Sequence, residues 1–156
     1  TVTAPVVQYA CELKVSNEKL YRALVISNLV AVHLKTGIGS LSAFCGAVSA
    51  ATGSGAAISY LCGENRKQIK MTISNTLATI SGMVCDGAKS SCAAKIASAV
   101  ESAIVAGKMA KTNDYFKGDE GILGENIERT IQNIGRLGRK GMADTDIEIL
   151  KMMIGQ

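Results

Sequence analysis

The chain predicts an all-α fold, a compact helical domain whose buried core is rich in glycine, alanine and serine. Three observations carry this. Hydrophobic residues make up 47% of the 156 positions but aromatics only 4%, and there is no Trp, so Ala, Val, Ile, Leu and Met must fill the interior. A single Pro leaves almost nothing to break helices. Ile69, Ile73, Leu77, Ile80 and Val84 recur at steps of four, four, three and four, which places them on one face of a helix. No segment alternates apolar and polar residues as a half-buried strand would.

The elements follow in chain order. Thr3-Ala4-Pro5 has the form of an N-cap followed by proline in the first turn, opening a short helix to about Lys14. Ser16 caps a second helix, with Glu18 in its first turn and an end near Gly37. Positions 36–63 carry no charged residue and include six glycines. This length could span a bilayer, but it lacks the sustained large apolar side chains of a membrane helix, so it reads as protein interior. Two short helices are expected there, broken at Thr52-Gly53-Ser54-Gly55, with free N–H groups at the break aimed at one point as an anion site. A helix over Asn65–Val84 follows, and Asp86-Gly87 interrupts it. The next helix runs from about Ala88 to Ala110 with Ile96, Val100 and Ile104 on its buried face. Positions 112–124 form a polar loop anchored by Tyr115 and Phe116. Glu125 to about Lys140 is helical, burying Ile127, Ile131, Ile134 and Leu137. Thr145-Asp146-Ile147-Glu148 reads as a capping box opening the last helix.

The size fits one domain, residues 1–156. The net charge of +4 is mild and spread along the chain; Arg136, Arg139 and Lys140 form its tightest group, assigned to solvent or to a partner region. A nucleic-acid reader needs a basic stripe with stacking aromatics, so nucleic acid is not expected as a partner. Self-association is left open. The first ten residues lack a basic start and a long apolar run, so no secretory signal is read there. Five cysteines is an odd count in a chain too long to need disulfide staples. A reducing cytoplasm is the expected compartment.

Cys45, Cys85 and Cys92 lie in the least charged part of the chain and suggest a soft-metal site. Thiolates on one zinc ion must converge to within about 4 Å, given Zn–S bonds near 2.3 Å. In a straight helix, residues seven apart are separated by about 10.5 Å along the axis. The Cys85–Cys92 spacing therefore suits a wider multi-iron cluster better than a zinc knuckle, and the CxxC pairs of structural zinc are missing. Spacing alone leaves a second reading open, in which the cysteines are small buried hydrophobes; that reading is the stronger one for Cys11 and Cys62, which lack a polar, turn-forming context. His33 is the only histidine, so His-based triads and zinc hydrolase sites are poor fits. It reads as a satisfied core or surface residue, and Glu125 and Glu128 as first-turn charges.

Three runs resemble one enzyme family. They are SAFCGAVSAATGSGAAISYLCG at 42–63, SGMVCDGAKSSCAAK at 81–95 and NIGRLGRKGM at 133–142. Together they are similar to the C-terminal, cluster-binding part of the L-cysteine desulfidases, which are related to the alpha domain of iron–sulfur L-serine dehydratases. The likeness covers nearly the whole chain. It implies a [4Fe–4S] cluster on Cys45, Cys85 and Cys92, and β-elimination of L-cysteine to pyruvate, ammonia and sulfide. L-serine dehydration is the alternative activity; a non-catalytic helical or membrane-associated protein is the alternative class. It also implies a C-terminal fragment of a longer enzyme, whose N-terminal region supplies the general base and acts as a partner; the fragment alone is then expected to be inactive. For the substrate carboxylate, the expected contacts are Thr52, Gly53, Ser54 and Gly55, with Lys89 beside the cysteine pair. Asp86 and Lys89 also read as a plain salt bridge, and Ser90 or Ser91 as a helix cap.

Overall fold

A computed structural model describes residues 1–156 as seven α-helices with no strand. They are α1 (Ala4–Glu12), α2 (Asn17–Ile38), α3 (Gly46–Leu61), α4 (Arg66–Ile80), α5 (Cys92–Lys111), α6 (Ile127–Arg136) and α7 (Ala143–Met153). A π turn, Leu137–Gly141, follows α6. No helix is long and apolar enough to cross a membrane.

The helix α3 is the axis of the fold. Twelve of its sixteen residues are buried, and α1, α2, α4 and α5 pack around it. This overturns the expected break at Thr52–Gly55. The segment is the middle of one continuous helix, and Thr52, Gly53, Ser54 and Gly55 are all buried. Close packing is the reason glycine is used. A Cβ on Gly53 would lie 2.3 Å from the Ser27 carbonyl oxygen of α2, and one on Gly55 would lie 2.8 Å from Ala103 Cβ of α5. Thr52 and Ser54 turn their hydroxyls onto carbonyls of their own helix, Val48 O and Ala51 O.

The caps decide the other boundaries. Ser16 Oγ accepts from Lys19 N–H, as expected, and Gly39, at φ 99°, ends α2. Thr3 precedes α1 without a side-chain cap. Asn65 and Gln68 form a reciprocal capping box on α4, a start signal legible in the sequence. That helix stops at Ile80, so Val84 leaves the expected stripe; Ile73, Leu77 and Ile80 keep their buried places. The buried side of α5 is Ala99, Ala103, Ala106, Gly107 and Ala110, whereas Ile96 is exposed and Val100 and Ile104 are only partly covered. Small residues win that face because they let α5 approach α3 and α4 closely. The capping box expected at Thr145 does not form, because α7 starts at Ala143, directly after the π turn.

The loop between α5 and α6 is held by Asn75 rather than by its aromatics. Asn75 is fully buried; its Nδ2 donates to Asp114 O and its Oδ1 accepts from Phe116 N–H, both at 3.1 Å. Tyr115 and Phe116 are 49% and 39% exposed. Asn75→Ala would orphan both loop groups, with an expected loss of about 2–3 kcal/mol in a denaturant titration.

Candidate functional site

The thiols of Cys45, Cys85 and Cys92 come from three different elements and line one cavity of about 270 Å³. A short antiparallel contact places the first two. Phe44 pairs with Val84 in an isolated bridge, Cys45 N–H donates to Met83 O (3.1 Å) and Cys85 N–H donates to Ala43 O (2.6 Å). Cys45 therefore lies opposite Met83, and Cys85 is two residues further along the same face. Diagonal neighbours of this kind have Cα atoms about 7–8 Å apart. Gly87, at φ 90°, then turns the chain toward α5, whose first residue is Cys92. Cys92 Sγ donates to Gly87 O at 3.6 Å. The Cys85–Cys92 stretch is a loop, and neither Ser90 nor Ser91 makes a side-chain cap on α5.

No group of three or more His, Cys, Asp or Glu side chains is close enough to hold a single metal ion. One zinc ion would need the sulfurs within about 4 Å. Three cysteine side chains around one cavity are of the donor type that holds iron–sulfur clusters. The surroundings favour negative charge. Gly46 and Ala47, at the N-terminal, positive end of α3, line the cavity, and so does Lys95.

Lys95 is the cavity residue that sequence reasoning missed. Its Nζ donates to Val84 O (2.9 Å) and to Asp86 Oδ1 (2.5 Å), tying α5 to the loop that carries Cys85. The signal was its position three residues after Cys92, on the same helix face. Lys89, expected beside the substrate, does not line the cavity; it is half-exposed and paired with Asp86. Asp86 lies between the two lysines and captures both. The hydrogen bond to Asp86 raises the pKa of Lys95, and the negative charge potential of Cys45 and Cys92 adds to it.

Hydrogen bonds from Lys89 first and Lys95 second hold the Asp86 carboxyl down to about 2, from an ordinary 3.8. A depressed carboxylate contributes stability that is present above its unfolded value and lost as pH falls through its folded one. The strap should therefore persist below pH 3.8 and open near pH 2. An NMR titration of the Asp86 carboxyl carbon is expected to show that midpoint, moving toward 3.8 in Lys89→Met.

The other expected contacts fare differently. Thr52–Gly55 lie in the interior of α3 and do not line this cavity, so the carboxylate cradle expected there is not formed. Cys11 and Cys62 are exposed and stand apart from the three cavity thiols. His33 is exposed on α2 and its Nε2 meets Glu128 Oε2 at 2.9 Å.

The helices and this cavity define an all-α domain with three cysteines and a lysine around one pocket. The chain belongs to the serine dehydratase alpha chain family, whose model matches residues 2–151. It is 54% identical over 156 residues to a UPF0597 protein of Desulfitobacterium hafniense, covering 100% of this chain and 36% of that one. Counterparts in Lachnoclostridium phytofermentans and Treponema denticola are 53% identical over 154 residues and 52% over 153, covering 99% and 98% of this chain and 37% and 36% of theirs. The chain thus spans little more than a third of these relatives. No solved structure matches it.

Proposed function

We propose that this chain is the cluster-binding domain of a lyase that removes the β-substituent of a small L-amino acid, with L-cysteine as substrate and pyruvate, ammonia and hydrogen sulfide as products. One observation carries the reading: Cys45, Cys85, Cys92 and Lys95 line the same cavity. Membership of the serine dehydratase alpha chain family supports the β-elimination. The similarity of residues 42–63 and 81–95 to L-cysteine desulfidases supports the sulfur leaving group.

Cys45, Cys85 and Cys92 would hold a [4Fe–4S] cluster, which would supply Lewis-acid activation of the β-substituent. The chain's own residues set the stage for it. The Phe44–Val84 bridge fixes the approach of Cys45 and Cys85, and Gly87 turns Cys92 back toward them. Lys95 braces the loop and balances negative charge on the thiolates, a role that outer-shell partners play at metal sites. Removal of the α-proton is assigned to the region found in the longer relatives. We assign to that region the apolar stripe of Tyr21, Val25, Leu29 and Val32 on α2, each at least 56% exposed.

L-serine is the second reading, favoured by the family match itself. Anaerobic turnover by the full-length protein separates the two. Sulfide release from L-cysteine, with little pyruvate from L-serine, is expected. Preferential dehydration of serine would reverse the assignment, and no turnover of either would reject the lyase.

A further inference from the structure

We propose that Arg136 and Lys140, at the junction of α6 and the π turn, form a binding site for a small multivalent oxyanion such as phosphate or a tricarboxylate. The proposal goes beyond the lyase reading and does not depend on it. Both side chains line a cavity of about 540 Å³, together with Asn133, Ile122, Gly121 and Gly141, and no acidic residue is among its walls. The same two cations also line the neighbouring cavity of about 480 Å³, where the one carboxylate, Glu128, is engaged by His33. Neither Arg136 nor Lys140 has a carboxylate within 4.0 Å.

The third basic residue of the group sharpens the contrast. Arg139 has a structural role: its Nη2 donates to Thr36 O (2.9 Å) near the C-terminus of α2, where a cation is favoured. Arg136 and Lys140 make no such bond. They are exposed and uncompensated, and an unusual piece of backbone places both at the rim of the same cavity. π turns are rare and occur frequently at functional sites. This one is built in by its neighbours. Gly138 seats against Ile38, where a Cβ would meet Ile38 Cγ2 at 2.8 Å, and Gly138 O accepts from the Ser42 hydroxyl at 2.6 Å. Asn133 Nδ2 donates to Ile122 O (3.0 Å) and fixes the opposite wall. The backbone that carries the two cations and the opposite wall are therefore fixed. The guanidinium offers a planar fork for two oxygens, and the ammonium a point charge. The thiol cavity shares no lining residue with it.

Isothermal titration calorimetry of the protein at constant ionic strength, with inorganic phosphate and with citrate, tests the proposal and separates the two sources of oxyanion. At least one of them is expected to bind with Kd below about 1 mM. Arg136→Gln and Lys140→Gln should each weaken it about tenfold or more, as expected for loss of a charge-assisted hydrogen bond. Both positions are exposed, so the variants should fold, and an unchanged circular dichroism melt checks that. Lys108→Gln, on α5, serves as the control and should bind like the parent. Heats no greater than those of sodium chloride, or binding that survives Arg136→Gln combined with Lys140→Gln, would overturn it.

Discussion

In the full-length protein, Cys45→Ala, Cys85→Ala and Cys92→Ala are each expected to lower amino-acid turnover more than about 100-fold, since changes merely outside the ligand shell cost metal sites 10–100-fold. The three thiols share one cavity, and a group bridging them loses its geometry when any one goes. Cys11→Ala and Cys62→Ala should leave turnover unchanged, because both residues are exposed and lie off the cavity. The two lysines should divide in an iron-retention assay. Lys95→Met is expected to weaken iron retention about tenfold, while Lys89→Met has a smaller effect, because only Lys95 lines the cavity and braces the Cys85 loop. Equal effects of the two lysines would mean that net charge, rather than the brace, matters.

Gly53→Ala is the second large effect. Its new Cβ would meet the Ser27 carbonyl oxygen at 2.3 Å and Ala31 Cβ at 3.2 Å. Neither can move away without shifting α2 from α3. Overpacking of this kind costs about 1–3 kcal/mol and sometimes more, and backbone contact places this position at the upper end. Gly46→Ala gives the contrast: nothing lies within 4 Å of a Cβ there, in the first turn of the same helix. A gain of about 0.4–1 kcal/mol from the stiffer unfolded chain is expected. Urea denaturation of the two variants checks the pair. A mild effect at Gly53 would mean that α2 and α3 are less closely packed than the structure has them.

That same glycine marks the limit of what the sequence revealed. The all-α class was legible because Ile69, Ile73, Leu77 and Ile80 repeat at helical spacing and nothing alternates. The break expected at Thr52–Gly55 was wrong for a physical reason: glycine weakens an isolated helix by about 1 kcal/mol, but tight packing against Ser27 and Ala103 overrides that preference. The inward face of α5 was misread in the same way, because Ala99, Ala103 and Ala106 are less apolar than Ile96 yet permit closer approach. At the site, the three cysteines stood out in the sequence, but that they line one cavity was not readable there. It depends on one residue pair, Phe44 and Val84, too short a contact to leave any period in the sequence. The π turn is equally silent, being set by Gly138 against Ile38, a contact a hundred residues apart.

The most direct test of the central claim is the iron and acid-labile sulfide content of the anaerobically reconstituted protein after desalting, beside its Cys85→Ser variant. The account predicts about four irons and four sulfides per chain in the parent, as a [4Fe–4S] cluster requires, and their loss in the variant. Equal contents in the two proteins, or none in the parent, would contradict it.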